Sequence, residues 1–90
     1  MHSLLANSNQ GNFVSTNSKG EKNTLEVGRF GPAKEDGKNI DSRISGNGNH
    51  YTIPVWEGAV QNYTYNPTKD QWSWDYDGET DGVRTFIRVK

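Results

Sequence analysis

Four acidic side chains alternate near the carboxyl end of the chain: Asp75, Asp77, Glu79 and Asp81. Oxygen-rich loops of this kind suit calcium, which takes roughly six to eight oxygen ligands. The run that begins at Asp77 follows the first half of an EF-hand calcium loop, glycine included. In the second half, Arg88 stands where that loop needs a bidentate glutamate. We therefore interpret the run as a solvated acidic turn, and a calcium site at Asp77, Glu79 and Asp81 is the alternative.

Aromatic residues are concentrated in the second half of the chain, where eight of the ten lie after position 50. Rings of Trp and Tyr can stack on sugars, and together with Arg they anchor protein interfaces. Because the chain has few Leu and Ile residues, the same rings are also the main material for a core. The candidate binding residues are the aromatic and arginine side chains of this region: Trp56, Trp72, Trp74, Tyr76, Arg84 and Phe86.

Hydrolytic chemistry has only scattered candidates. His50 is the one histidine of the aromatic half, and Glu57 and Arg84 would be its partners if the three converged on a sheet. No local motif links them, so we expect no enzymatic activity.

Composition limits the remaining classes. Ninety residues without cysteine form at most one domain and exclude disulfides and cysteine-ligated zinc. Ten scattered basic residues against eleven acidic ones give a net charge of −1, which argues against nucleic-acid binding. No apolar run has the length of a membrane helix, and the amino terminus lacks the pattern of a signal peptide. We expect no cofactor other than the alternative calcium ion, and the cellular location is left open.

The element that must position the aromatic residues is a predicted hairpin. Tyr63 and Tyr65 alternate before the turn residues Asn66 and Pro67, and Trp72, Trp74 and Tyr76 alternate after them. In a strand, alternate side chains share one face, and an Asn-Pro pair is typical of the first two positions of a type I turn. The pattern predicts two paired strands with one aromatic face.

Other strands follow from the same alternation, and predicted strands cover residues 12–16, 24–30, 50–56, 59–65 and 83–89. A short helix over 57–62 is the alternative to the first part of the strand at 59–65. Pro54 cannot donate to a strand ladder, so it predicts an edge or a bulge at that point. We expect at most one helical turn over 33–37, after Pro32. The predicted core consists of the apolar residues on the inward faces: Leu25, Val27, Ile53, Val55, Tyr63, Tyr65, Trp72, Trp74, Ile87 and Val89.

Short strands separated by Gly, Pro, Asn and Asp indicate an all-β fold, either a small antiparallel sandwich or a compact barrel. We expect a flexible polar arm over residues 1–11 and one β domain over 12–90. The function predicted is that of a non-catalytic protein-binding module, such as an inhibitor, an immunity protein or an interaction domain associated with a phage or a toxin. A carbohydrate-binding module is the alternative. The thin apolar inventory further predicts a homo-oligomer.

Overall fold

The computed structural model describes residues 9–56, 58–76 and 83–89, apart from the side chain of Trp56. These residues form strands and turns, and none of them forms a helix that could cross a membrane. The all-β prediction is confirmed. The strands in chain order are β1 (Gly11–Thr16), β2 (Lys22–Gly28), β3 (Gly31–Glu35), β4 (Lys38–Asn39), β5 (Ser45–Asn47), β6 (His50–Trp56), β7 (Ala59–Asn66), β8 (Gln71–Tyr76) and β9 (Arg84–Arg88).

All nine strands belong to one antiparallel sheet that is curled into a half-barrel. Their order is β4-β3-β2-β1-β9-β8-β7-β6-β5, so the two edge strands, β4 and β5, are consecutive along the chain. Eight antiparallel pairings separate β4 from β5 in this order. Because each pairing reverses the strand direction and their number is even, β4 and β5 run in the same direction. We interpret β4 and β5 as two pieces of one interrupted strand, which pairs first with β3 and then, after residues 40–44, with β6.

The predicted aromatic hairpin is formed by β7 and β8. Tyr63 lies opposite Trp74 and Tyr65 opposite Trp72, so the four rings share the inner face of the curled sheet. The Asn66 side chain accepts hydrogen bonds from the backbone amides of the next residues in the turn. This local bonding holds the turn, as the sequence indicated.

The core fills the concave side of the sheet, and its buried residues are Phe13, Leu25, Val27, Tyr51, Ile53, Tyr63, Tyr65, Trp72, Trp74 and Phe86. The prediction was wrong for β9, because Phe86 is fully buried while Ile87 and Val89 are 53% and 52% exposed. The alternation of β9 allowed either face to point inward. Phe86 lies opposite Trp72, and a buried pair of large rings removes more apolar surface from water than two aliphatic side chains do.

The predicted helical turn over 33–37 is also wrong, since residues 31–35 form β3. Asp36 and Gly37 both have positive φ angles, of 54° and 80°. An Asp-Gly pair in this conformation makes the tight turn of a β-hairpin. The turn returns the chain into β4 and places Glu35 on the sheet.

Contacts across the concave side hold the curl. A Cβ atom on Gly31 of β3 would lie 2.6 Å from the Tyr51 ring of β6, so only glycine permits this approach. Near the start of β1, Trp72 Nε1 donates to the Asn9 carbonyl at 3.0 Å. Arg88 forms a paired hydrogen bond with the Asp70 carboxylate and also donates to the Gln10 carbonyl.

Candidate functional site

The half-barrel is open along a seam between its two edges. β5 pairs with β6 only as far as Thr52. The rest of β6 is paired with β7 on one side and faces the seam, without a partner strand, on the other. A groove of about 400 Å³ lies there, and we term it the seam groove. Its lining combines apolar and polar side chains from both edges of the sheet and from the linking segment: Glu35, Lys38, Ile40, Asp41, Arg43, Ile53, Pro54, Val55, Gln61 and Tyr63.

Glu35 forms the inner wall of the seam groove and binds two side chains from the other half of the sheet. The Tyr63 hydroxyl donates to Glu35 Oε1 at 2.6 Å, and Arg84 Nη1 donates to Oε2 at 3.0 Å. Gln61 Nε2 in turn donates to the Tyr63 hydroxyl at 2.8 Å. This network connects β3 with β7 and β9 through the interior of the sheet.

The Tyr63 hydroxyl is kept as a neutral donor. Burial raises the pKa of Tyr63 far above its usual range, and the hydrogen bond to the Glu35 carboxylate and the charge of that group raise it further. The phenol is therefore protonated at neutral pH. It is suited to positioning Glu35, because its raised pKa is the opposite of the lowered pKa that activates a nucleophile.

The rim of the seam groove is a small turn that holds itself in place. Arg43 Nη2 lies 2.7 Å from Asp41 Oδ2, and the Arg43 backbone amide donates to Asp41 Oδ1 at 2.8 Å. These hydrogen bonds lower the pKa of Asp41 to about 2. Ile40 and Ile44, on either side of the turn, pack against the core, so the rim has a defined shape.

Pro54 sets the chemistry of the β6 edge. Hydrogen-bonded and non-bonded pairs alternate along an antiparallel ladder, and the Tyr65 amide donates to the Asn49 carbonyl. Asn49 therefore bonds to β7, and so does every second residue after it along β6, which includes Ile53. The backbone groups of Pro54, the next residue, point to the opposite side, toward the seam. Pro54 therefore presents a carbonyl and no N–H to the groove. β6 has both features that the proline predicted, an unpaired edge and a register shift between Pro54 and Trp56.

A second cavity, of about 540 Å³, lies beside β8 and β9. The Arg84 guanidinium carbon lies 4.8 Å from the centre of the Trp74 ring, and the Tyr76 ring packs edge-on against Trp74 at 4.8 Å. Trp74 Nε1 is buried and completes no hydrogen bond to any described residue. The rest of the lining is mostly polar and consists of Ser15, Thr16, Asn17, Asn23, Val83 and Thr85.

The predicted binding residues therefore separate into two groups. Trp72 and Phe86 are fully buried, and Trp74 is 8% exposed with Arg84 over its ring, so these three rings form the core and offer almost no surface to a ligand. They are buried because the inner face of β8 and β9 is the floor of the half-barrel. Tyr76 and Arg84 are partly exposed and line the second cavity.

Other predicted site residues lie outside the described residues: the Trp56 side chain, Glu57, and the calcium candidates Asp77, Glu79 and Asp81. Within the described ranges, no group of three His, Asp or Glu side chains is placed to hold a metal. His50 is exposed and shares a 3.1 Å hydrogen bond with Thr64 Oγ1. Two strands separate β6 from β9, and Arg84 points inward, so His50 and Arg84 do not converge.

Glu35 is the residue that sequence reasoning missed. A helical turn would have left its carboxylate on the surface, whereas β3 directs it inward beside Leu25. The signal was the Asp36-Gly37 pair, which favours a hairpin.

Comparison of the chain with protein-family models, with curated proteins and with solved structures finds no match.

Proposed function

We propose that the protein is a non-catalytic protein-binding module and that a polypeptide segment of its partner lies in the seam groove. The observation that carries the proposal is the open seam itself. There the seam side of β6 has no partner strand beyond Thr52, and it borders a groove that has a hydrogen-bonded rim and apolar side chains in its lining. Its volume of about 400 Å³ falls within the range of roughly 300–1,000 Å³ that is usual for ligand sites.

The polar groups of the groove support a binding role more than a catalytic one. Tyr63 and Arg84 both bind the Glu35 carboxylate, and Asp41 binds Arg43. Groups held in this way are preorganised, which lowers the entropy cost of binding. Ile40 and Val55, which are partly exposed in the groove, supply the apolar contact that a partner side chain needs at the centre of an interface.

The test is selection of binders from a phage library of random dodecapeptides, followed by calorimetry with the synthetic peptides. We expect Val55→Arg, which fills the groove, to weaken binding at least about tenfold, or about 1.4 kcal/mol. Ile87→Arg adds the same charge on the outer face of β9 and is the matched control. Tryptophan fluorescence verifies that both variants are folded. The proposal fails if no peptide is selected, or if Val55→Arg binds as tightly as Ile87→Arg.

Carbohydrate binding is the second candidate, and the cavity beside β8 and β9 is the observation that favours it. Tyr76 offers a partly exposed ring there, and Thr16 and Asn23 offer a hydroxyl and an amide for sugar hydroxyls. A glycan array run with and without calcium tests this candidate. Saturable glycan binding that is lost in Tyr76→Ala would support it, and an array without a saturable signal would reject it.

Self-association stays a prediction. The described edge strands are only two and three residues long, which leaves little edge for pairing between copies. Light scattering at high micromolar concentration decides it, because a species of 10.1 kDa would contradict the expected oligomer.

A further inference from the structure

The polar groups on the wall of the seam groove are mostly hydrogen-bond acceptors. We propose that the partner inserts a cationic side chain, arginine or lysine, with its charged end between Glu35 and the Pro54 carbonyl. This inference rests on the proposed function, because it identifies the side chain that anchors the partner in the groove.

Glu35 has acceptor capacity left. Its carboxylate receives one hydrogen bond from Tyr63 and one from Arg84, whereas a carboxylate offers about four lone-pair sites. The Glu35 side chain is 21% exposed, and it lines the groove. A ligand donor can therefore reach it without displacing Tyr63 or Arg84.

The β6 edge supplies an acceptor and no donor. The Pro54 carbonyl faces the seam, and proline has no N–H with which to continue a ladder. An added strand would lose one of its bonds at this point, so strand pairing is a poor way to fill the groove. A side chain with several N–H groups has no such difficulty.

The donors of the groove are largely engaged. Gln61 Nε2 donates to Tyr63, and the Arg43 guanidinium is bound to Asp41. Lys38 and the Asn39 amide are exceptions. Both are exposed in the groove lining, and Lys38 has no ion pair with any described residue. The positive charge of Lys38 repels an incoming cation, so the inference predicts that removing this charge tightens binding.

The apolar part of the groove suits the stem of such a side chain. Ile40 and Val55 line the groove together with Glu35, and arginine and lysine cover apolar surface with their methylene stems while the charged end finds polar partners. The planar fork of arginine matches a carboxylate better than the ammonium of lysine does, so arginine is the preferred anchor.

The probe is n-butylguanidinium, which reproduces an arginine side chain, and its uncharged counterpart is n-butylurea. Titration is followed by 15N–1H NMR of the folded protein. We expect saturable shifts of the Asn39, Ile53 and Gln61 amides with butylguanidinium and at least about tenfold weaker binding of butylurea. Equal binding of the two compounds, or shifts elsewhere only, would overturn the inference.

Three variants make the test specific. We expect Glu35→Gln to weaken butylguanidinium binding about tenfold, while Glu26→Gln, the same charge change on the exposed outer side of β2, leaves it unchanged. Lys38→Ala should tighten binding about two- to fivefold, since it removes a nearby like charge. If Glu35→Gln does not fold, Lys38→Ala decides alone, and unchanged or weaker binding in that variant overturns the inference.

The selected dodecapeptides separate this inference from the proposed function. Peptides that bind in the groove and keep their affinity when each Arg or Lys is replaced by citrulline or norleucine would refute the cationic anchor and leave the protein-binding role intact. Binding of butylguanidinium in the groove, without any selected peptide, would refute the protein-binding role and leave the cation site intact. A loss of about tenfold or more on replacement supports both.

Discussion

Replacing Tyr63 with phenylalanine removes one oxygen atom from the centre of the interior network. The Tyr63 hydroxyl donates to the Glu35 carboxylate at 2.6 Å and accepts from Gln61 at 2.8 Å. A hydrogen bond to a charged group contributes about 1.5–3 kcal/mol. We therefore expect Tyr63→Phe to lower the free energy of unfolding by about 2 kcal/mol at pH 7.

The raised pKa of Tyr63 makes this loss depend on pH. Tyrosine in the unfolded chain titrates near pH 10, whereas folded Tyr63 keeps its proton to higher pH. Between the two pKa values the unfolded state has released a proton that the folded state retains. The free energy of unfolding then falls by about 1.4 kcal/mol per pH unit. The stabilisation due to Tyr63 is complete below about pH 10 and is lost as the pH rises above it.

Urea unfolding of the wild type and of Tyr63→Phe between pH 7 and pH 11.5, followed by the fluorescence of the buried Trp72 and Trp74, measures both effects. The two proteins should differ by about 2 kcal/mol at pH 7 and converge near pH 11.5. Tyr51→Phe is the control at pH 7, because the Tyr51 ring is buried but its hydroxyl has no hydrogen bond to a described residue; its loss should be smaller. A difference that stays constant up to pH 11.5 would refute the reasoning.

Two further predictions concern the seam. Gly31→Ala should lower the free energy of unfolding by more than about 2 kcal/mol, because Gly31 has a φ of 110° and an added Cβ would meet the Tyr51 ring. The control is Gly28→Ala, which should cost less than about 1 kcal/mol because a Cβ there meets no atom within 4 Å. Equal losses of the two variants in thermal unfolding would contradict this prediction. NMR titration of the Asp41 carboxyl should give a pKa of about 2. Arg43→Ala should raise this pKa only part of the way toward the ordinary value of about 4, because the backbone amide of residue 43 still donates to Asp41; an unchanged pKa in the variant would show that the Arg43 side chain is not a cause.

Much of the strand pattern could be predicted because alternation is a local property. Tyr63 and Tyr65, and Trp72 and Trp74 across the turn, are two residues apart, and this spacing places each pair on one face of a strand whatever surrounds it. Pro54 likewise indicated an edge or a bulge from its missing N–H alone. These inferences needed no knowledge of distant residues.

The candidate site could not be predicted in the same way. Glu35 and Tyr63 are 28 positions apart, and Arg84 is 49 positions from Glu35, so their meeting depends on how the sheet curls. Phe86 and Ile87 are adjacent, and the choice of which one is buried was made by Trp72, which lies opposite Phe86. The alternation in β9 is compatible with either face being buried, and no residue close along the chain decides between the two.

The sequence by itself determined an all-β chain, its central aromatic hairpin and the break in the ladder at Pro54, because each follows from the geometry of residues that are close along the chain. The tertiary structure decided that the two edge strands meet across an open seam, and that Glu35 lies on its inner wall. The physical reason is that the curl of the sheet comes from packing across its concave side, as between Gly31 and Tyr51, and such packing joins residues whose separation in sequence carries no periodic signal.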